Sequence, residues 1–402
     1  MRGRPFLVAV AAFVLSSAAR DRLAHADDEL PSGSDPPRIV PIAVVDAYYA
    51  FHDSAPSRRE ATLMTTAVRH DEFAINLAAI GARFEHSKVF ATVILQAGTS
   101  VDALYPPPPG DNTHYVRTPV EKFSGPEVWK HIQQASAGYR FTDVTVEVGV
   151  FPSHIGNEGF VSTGNWNYTR AIVSDITPYF VGGVKVTAKL GPTLSAAVLA
   201  YNSWSNAFAN YSRYKSGGFR VDWKPSDTLS VFDAVHVGPA PGDNGLRVFD
   251  DLVINFRLFT KLSLAGEGWI GADRTSSGTQ TAPYFGGAVW ARYALGETTY
   301  VAGRGEIAVD KDGVLTGSGE RRLLDPTSGR HVVDADGNPT PDGQTILGGT
   351  LTVGWQPHPM FIARAEALYR TANQPFFSGG GNSADPVRKS STTFVANVAF
   401  RY

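Results

Sequence analysis

Charged side chains recur at every second position in many stretches of this sequence, with apolar residues between them. This period is that of a β-strand whose two faces differ, not that of a helix. The charged positions are Asp46, Glu72, Glu147, Lys185, Lys189, Arg220, Asp222, Lys224, Asp251, Arg257, Glu267, Arg292, Arg304, Glu306, Arg364, Glu366, Arg370 and Arg401. Charges of both signs are poor material for a packed apolar core. They suit a wall that faces water, and the chemistry expected of such a wall is the selection of ions.

The bases in this set slightly outnumber the acids, so we predict a weak preference for anions. A second interpretation is that most of these charges pair across neighbouring strands and only stiffen the wall. The sequence alone leaves both interpretations open.

Residues that could perform covalent chemistry are poorly arranged. Ser153 and His154 are adjacent, and neighbours on a strand point to opposite faces, which separates a nucleophile from its base. His154 and Glu158 offer only two metal ligands, and residues 334–338 lack the ligand spacing of an EF-hand. The motifs of α/β-hydrolases, zinc proteases and P-loop proteins are absent. We therefore predict no enzyme activity, no catalytic residue, no cofactor and no metal site.

The end of the chain shows the strand pattern most clearly. Phe394, Ala396, Val398, Phe400 and Tyr402 share one face of an extended strand. An apolar stripe that ends on an aromatic residue is typical of the closing strand of an outer-membrane β-barrel, in which such residues lie at the membrane interface. The final strand of a soluble sandwich is the alternative.

Sixteen stretches of this kind follow one another from residue 42 onward. They span about 42–51, 70–85, 87–98, 129–141, 143–152, 177–190, 193–204, 213–224, 228–238, 247–259, 261–272, 282–295, 298–310, 344–356, 359–371 and 391–402. One misread hairpin would change the count to 14 or 18. We therefore predict an all-β fold, a transmembrane antiparallel up-and-down β-barrel of sixteen strands.

The connections between these strands alternate in length. Those after odd-numbered strands are long, and those after even-numbered strands have only a few residues, such as Gly191-Pro192 and Pro357-His358. Short turns at one rim and long loops at the other are the plan of a bacterial outer-membrane barrel, whereas a soluble sandwich has no reason to sort its loops. Closure also removes the unpaired edges of so large a sheet.

The N-terminus predicts export from the cytoplasm. Two arginines precede an apolar run at 6–15, and the A-x-A triplet at 24–26 is a cleavage site. We predict a signal peptide at 1–26, a proline-containing disordered leader at 27–41 and the barrel at 42–402. The formal net charge of −2 argues against a strongly basic nucleic-acid-binding protein. No stretch reaches the roughly 18–20 apolar residues of a membrane-spanning helix.

Three patches in the first half of the mature chain resemble the β-barrel porins of the OmpL-like group. The first is 70–77 (HDEFAINL), and the second is 149–158 (GVFPSHIGNE) with 165–170 (NWNYTR) and Pro178-Tyr179. The third is Asn202-Ser203-Trp204, in which Ser stands where the group has Gly. The second half matches only in the rhythm of its hairpins. Because the group is defined mostly by its architecture, the resemblance implies a porin-like barrel and names no substrate.

A separate analogy, with classical sixteen-stranded porins, suggests which loop narrows the pore. In sixteen-stranded porins the loop after the fifth strand folds inward, and by analogy we expect this of residues 153–176. Its polar and aromatic residues, the candidate constriction residues, are Glu158, Asn165, Trp166, Asn167, Tyr168, Arg170 and Asp175. The alternative is a loop packed over the rim, in which Trp166 and Tyr168 cover apolar surface.

The function expected from these observations is passive diffusion. We predict an outer-membrane porin of a Gram-negative bacterium, surrounded by outer-membrane lipid and open to small hydrophilic solutes or ions. Its C-terminal strand would be read by the barrel-assembly machinery, and it could form a homo-oligomer. One alternative is a non-conducting barrel whose loops bind a partner. The other is an outer-membrane barrel hydrolase, which would need a Ser/His or Asp/His cluster at the outer rim.

Overall fold

Strands make up most of the chain in the computed structural model, which describes residues 36–56, 61–105, 127–204, 214–240, 245–274, 281–313, 343–379 and 386–402. Residues Arg38–Tyr402 form one compact unit. Sixteen strands of the described chain close into a single antiparallel barrel. They are β1 (Arg38–His52), β2 (Glu72–His86), β3 (Val89–Ala97), β4 (Ile132–Arg140), β5 (Val144–Pro152), β6 (Phe180–Lys189), β7 (Leu194–Tyr201), β8 (Ser216–Trp223), β9 (Leu229–Pro239), β10 (Leu246–Arg257), β11 (Leu262–Arg274), β12 (Thr281–Ala294), β13 (Thr299–Asp310), β14 (Gln344–His358), β15 (Phe361–Ala372) and β18 (Ser390–Arg401). The predicted fold and strand number are confirmed.

The barrel closes where β1 pairs with β18. Val45 lies opposite Phe400 and Phe51 lies opposite Phe394 in this antiparallel ladder. The backbone N–H of Tyr402 donates to the carbonyl of Ala43 at 2.8 Å, so the pairing extends to the last residue. Each of the sixteen barrel strands of the described chain therefore has a neighbour on both sides, and the barrel has no unpaired edge.

The two faces of each strand differ as the alternation predicted. On β10, Leu252, Ile254 and Phe256 are exposed on the outer surface, whereas Phe249 and Val253 are buried toward the lumen. The same division holds around the barrel, where the exposed large side chains of the strands are mostly Val, Leu, Ile, Phe, Tyr and Trp. An outer face of this kind suits contact with acyl chains.

Acidic side chains interrupt the apolar outer face of the described strands where β9 meets β10. Asp233 and Asp250 both occupy outward positions, in the middle of their strands. Because Asp233 lies opposite Leu252 and Asp250 lies opposite Val235, the two carboxyl groups are diagonal neighbours on one face. They are also in hydrogen-bonding contact with each other.

The observed strand ends differ slightly from the prediction. β1 begins at Arg38 and not at residue 42, so it includes part of the predicted leader. Pro41 lies within this strand, opposite Ala82 of β2. Proline is tolerated there because the pairing of β1 with β18 reaches no further than Ala43, so the missing N–H faces no strand. A small hairpin of β16 (Phe377–Ser378) and β17 (Pro386–Arg388) in the last long connection was not predicted.

Three segments of the long connections enter the lumen. They are residues 61–71, the short helix α1 (Thr99–Leu104), and residues 153–179, which we call the insert. The insert contains a 3-10 turn at Ser162–Gly164 and the helix α2 (Ile172–Ile176). No helix of the described residues is long and apolar enough to cross a membrane.

Candidate pore lumen and its insert

The insert crosses the lumen and contacts opposite sides of the barrel wall. The backbone N–H of Gly156 donates to Asp251 on β10 at 2.8 Å. At the other side, the hydroxyl of Ser162 donates to Asp46 on β1 at 2.7 Å. The loop after the fifth strand therefore contacts inward-facing residues of the barrel wall on both sides.

Arginines on β13 and β15, which lie on either side of β14 in the wall, donate hydrogen bonds to the backbone of the insert. Arg304 donates to the carbonyl of Thr169 at 2.5 Å. Arg364 donates to the carbonyls of Ser162 at 2.9 Å and of Asn165 at 3.2 Å. Charge-assisted bonds of this length are among the stronger contacts in proteins, so these arginines fix the path of the insert.

Acidic residues of the same wall bind backbone N–H groups of the insert. Glu366 accepts from the N–H groups of Tyr168 at 2.5 Å and Thr169 at 2.8 Å. Glu306 accepts from the N–H of Ile172 at 2.7 Å and from Arg370 at 3.0 Å. The N–H of Ile172 belongs to the first turn of α2, where no helical carbonyl can accept it.

Glu158 ties the insert to itself and to the wall. Its carboxylate accepts from the N–H of Ala171 at 2.6 Å and from the hydroxyl of Ser174 at 3.1 Å. It also accepts from the indole N–H of Trp290 on β12 at 3.2 Å, and Arg304 lies 3.4 Å away. The predicted constriction residue is thus buried and bound on several sides.

Asp175 joins the insert to the first long connection. It accepts from the backbone N–H of Thr65 at 3.0 Å and from its hydroxyl at 2.6 Å. Arg370 lies 3.6 Å from its carboxylate, and Arg170 donates to the Thr65 hydroxyl at 2.8 Å. Burial raises the pKa of Asp175 to about 6, although the nearby Arg370 lowers it. Residues 61–71 are a second lumen segment, which the sequence analysis did not predict. The apolar residues Ala61, Leu63 and Met64, which are buried here, were the sequence feature that could have indicated it.

Apolar contacts fill the space beside α2. Ile172 and Ile176 are buried in one cluster with Phe249 and Trp269 of the inner wall. The indole N–H of Trp204 donates to the carbonyl of Ile176 at 3.2 Å. Aromatic residues therefore pack around the helix and exclude water from this side of the insert.

The remaining candidate residues of the insert also bind the wall. Asn167 donates to the hydroxyl of Thr352 at 2.7 Å. Asn165 exchanges two bonds of 2.9 Å with the backbone of Gly159, which closes a local turn. Trp166 is half-buried, and its carbonyl accepts from the hydroxyl of Tyr300 at 2.9 Å.

The Ser153 and His154 side chains do not act on each other in the described structure. The Ser153 hydroxyl accepts from the N–H of Ile155 at 3.2 Å. The His154 ring lies 3.0 Å from the carbonyl of Val235, and burial lowers its pKa to about 4. His154 therefore serves as a contact between the insert and β9, in a neutral form.

A vestibule lies at the rim with the short turns, where inward side chains keep contact with solvent. Some of its charges are paired: Lys185 contacts Glu147 at 2.8 Å, and Arg220 contacts Asp222 at 2.6 Å. Bases outnumber acids on these strand ends. The bases are Arg83, Arg140, Lys185, Lys189, Arg220, Arg257, Arg292 and Arg401, and the acids are Glu85, Glu147 and Asp222.

The candidate residues thus divide into two groups. The insert residues and Asp251, Arg304, Glu306, Arg364, Glu366 and Arg370 are buried where the insert meets the wall, apart from the half-buried Trp166. Arg220, Asp222, Arg257 and Arg292 belong to the vestibule. All of the wall residues face the lumen, but the first group contacts protein instead of open water.

Comparison with known proteins agrees with this geometry. A family model described as "Putative beta-barrel porin-2, OmpL-like" matches residues 42–402. No curated protein sequence matches the chain significantly.

Solved structures of outer-membrane channels are similar in fold. The outer-membrane channel DcaP of Acinetobacter baumannii has 10% identity and a TM-score of 0.55, over 91% of this chain and 97% of that one. The anion-selective porin of Comamonas acidovorans has 9% identity and a TM-score of 0.54, over 91% and 100%. OmpF of Salmonella typhi, solved with daunomycin, has 11% identity and a TM-score of 0.52, over 90% and 97%. At these identities the likeness is one of fold.

Proposed function

Because the chain belongs to the "Putative beta-barrel porin-2, OmpL-like" family and folds as a closed sixteen-stranded barrel, it is an outer-membrane porin, and we propose that its pore favours small anions. The porin is a passive diffusion channel of the bacterial outer membrane. Its apolar outer face contacts lipid, and small hydrophilic solutes or ions pass through its lumen.

The observation that supports the anion preference is the excess of bases in the vestibule. Lys189 and Arg401 are exposed and lie at the inward face of strand ends. Arg292 lies 4.3 Å above the ring of Tyr300, and Arg257 donates to the carbonyl of Asp227 at 3.2 Å. Neither contact neutralises the positive charge. A low-dielectric wall of one net sign concentrates ions of the opposite sign.

The insert supports a limit on solute size. The insert contacts the wall at β1, β10 and β15. The buried side chains at these contacts occupy part of the lumen and leave the rest for solutes. We propose that residues 157–169 form the constriction and that the vestibule selects the ions that reach it. A barrel closed completely by its insert is the second candidate, since the same contacts favour it.

Planar-bilayer recording tests this function. The purified porin in a salt gradient should conduct, with a reversal potential on the anion side. Clear cation selectivity would refute the anion preference, and the absence of current at any voltage would favour the closed barrel that binds a partner.

We also propose that the barrel performs no chemical step. The support is the separation of the Ser153 and His154 side chains, each of which contacts the backbone. An assay with ester and peptide substrates tests this statement. Activity that disappears in a Ser153→Ala variant would overturn it.

Assembly belongs to the same proposal. We propose that the signal peptide ends at Ala26, that the barrel-assembly machinery reads the strand ending at Tyr402, and that the barrel forms homo-oligomers. A groove of about 670 Å³ on the outer face supports the last point, because alanines such as Ala363 and Ala396 form its floor between Phe73 and Trp355. The mass of the subunit tests the cleavage site, and the mass of the native complex in detergent tests the homo-oligomer.

A further inference from the structure

The insert meets β10 and β11 at a pair of carboxylates. In the register of these strands, Asp251 lies opposite Trp269 and Glu267 lies opposite Val253. Asp251 and Glu267 are therefore diagonal neighbours on the inward face, close enough for their side chains to touch. This wall differs from the one at β13 and β15, where arginines balance the acids.

These two carboxylates are buried and poorly satisfied. Asp251 is 0% exposed and Glu267 is 5% exposed. One oxygen of Asp251 accepts from the N–H of Gly156 at 2.8 Å. Within the described residues, no donor reaches hydrogen-bonding geometry at the other oxygen of Asp251 or at either oxygen of Glu267. The backbone of Asn157 lies beside Glu267, and the two carboxyl groups contact each other. Buried carboxylate oxygens without a donor or a cation are strongly unfavourable.

The nearby bases are already engaged elsewhere. Arg220 donates to both carboxylate oxygens of Asp222, at 2.6 to 3.0 Å, and to the carbonyl of His154 at 2.8 Å. Arg304 lies against Glu158 and donates to the insert backbone. Among the residues that the structure describes, no positively charged side chain lies within hydrogen-bonding distance of the Asp251–Glu267 pair.

We propose that Asp251 and Glu267 bind a hard cation of the Ca²⁺ class, which clamps the first part of the insert to β10 and β11. Such cations take carboxylate, carbonyl and water oxygens in a flexible arrangement. In the described residues no three acidic or histidine side chains surround a common point, so the remaining ligands are main-chain and water oxygens. Asn157, whose side chain accepts from Asn255 at 3.2 Å, keeps the insert backbone beside the site. This binding site is additional to the diffusion function and does not depend on ion selectivity.

Terbium luminescence tests the site in the complete mature barrel, folded in detergent. Tb³⁺ substitutes for Ca²⁺, and Trp269 and Trp290 on the same inner wall are able to sensitise its emission. The wild-type barrel should give saturable emission that Ca²⁺ displaces. The same emission in wild type and in a D251N/E267Q double variant would overturn the proposal. The acidic residues of the long loops are unchanged in the double variant, so only the difference between the two proteins counts.

Single variants and a matched control locate the effect. E267Q and D251N should each weaken Tb³⁺ binding by at least about tenfold, the scale seen when groups at metal sites are removed. E147Q is the control, because Glu147 is a lumen carboxylate that already binds Lys185 and Ser136, each at 2.8 Å. It should leave Tb³⁺ binding unchanged.

Wild-type stability provides a second test that needs no variant. Ca²⁺ should raise the unfolding temperature of the barrel, whereas choline chloride of equal ionic strength should not. If Asp251 and Glu267 share a proton and bind no metal, Ca²⁺ will not raise the unfolding temperature. Wild type and the double variant will then give the same terbium emission. That result would reject the cation.

Discussion

The guanidinium of Arg370, on β15, donates a hydrogen bond of 2.9 Å to the backbone carbonyl of Arg170 in the insert. The same side chain lies 3.0 Å from Glu306 and 3.6 Å from Asp175. One arginine of the wall therefore fixes the path of the insert and neutralises two buried acids.

Replacing this arginine should loosen the insert. Arg370→Met removes the arginine beside Asp175 and the nearer of the two arginines beside Glu306, which keeps Arg304 at 3.6 Å. Breaking a buried ion pair costs about 3–5 kcal/mol. We expect a lower unfolding temperature and a larger, noisier single-channel conductance. Lys311→Met is the control, because Lys311 is exposed beyond the end of β13 and outside the vestibule. Unchanged conductance and stability in Arg370→Met would show that the insert is held by other contacts.

Shortening the insert should widen the pore. Replacement of residues 157–169 by a short Gly-Ser linker removes the turn that Arg364 holds, together with Glu158. We expect higher single-channel conductance, measured in planar bilayers with barrels that still migrate differently on a gel before and after boiling. If conductance stays at the wild-type value, these residues do not form the constriction.

Acid should weaken the contact between the insert and β9. Burial lowers the pKa of His154 to about 4, from 6.5 when unfolded, so at intermediate pH the unfolded chain binds more protons. The contribution of neutral His154 to the free energy of unfolding is complete above pH 6.5 and is lost as the pH falls through about 4. Thermal unfolding should show this loss in wild type and less of it in His154→Gln. Equal acid sensitivity of the two proteins would contradict the assignment.

Reversing a vestibule charge should change ion selectivity. Lys189→Glu replaces an exposed lumen base with an acid and should move the reversal potential toward cation preference. Lys311→Glu makes the same change in net charge at the opposite rim, beyond β13, and should shift the reversal potential less. Equal shifts in the two variants would place the selectivity outside the vestibule.

Removing the acids from the outer face should stabilise the barrel in a bilayer. Charged side chains on the lipid face are destabilising, so Asp233→Val with Asp250→Val should gain on the order of 1–2 kcal/mol. Denaturant unfolding from lipid vesicles measures the gain. Asp227→Val, at an exposed short turn, should give none. A loss of stability in the double variant would mean that this pair has a favourable partner in the membrane.

The strands could be predicted from local sequence because lipid imposes the same requirement at each outward position. Leu252, Ile254 and Phe256 must be apolar whatever their neighbours are, so the alternation is visible without tertiary information. The start of β1 was missed because Pro41 resembles a leader residue. Its compatibility with the strand depends on how far β18 extends, which is a tertiary fact.

The interior was less predictable because it depends on the path of one connection. The spacing of Arg304, Arg364 and Arg370 indicates lumen-facing side chains, and this is their orientation. Nothing local shows that backbone carbonyls of the insert will meet them. The buried pair of Asp251 and Glu267 is equally invisible in the sequence, because it results from the register of β10 with β11 and from the insert that contacts Asp251.

Because β1 pairs with β18, the barrel closes only when both of these strands are present. The two strands that seal it are the first and the last strands of the described chain. A product that stops before residue 390 carries two open edges, and no rearrangement of the other strands supplies the missing ladder. Unpaired edges are templates for pairing with other chains, so we expect such a product to aggregate.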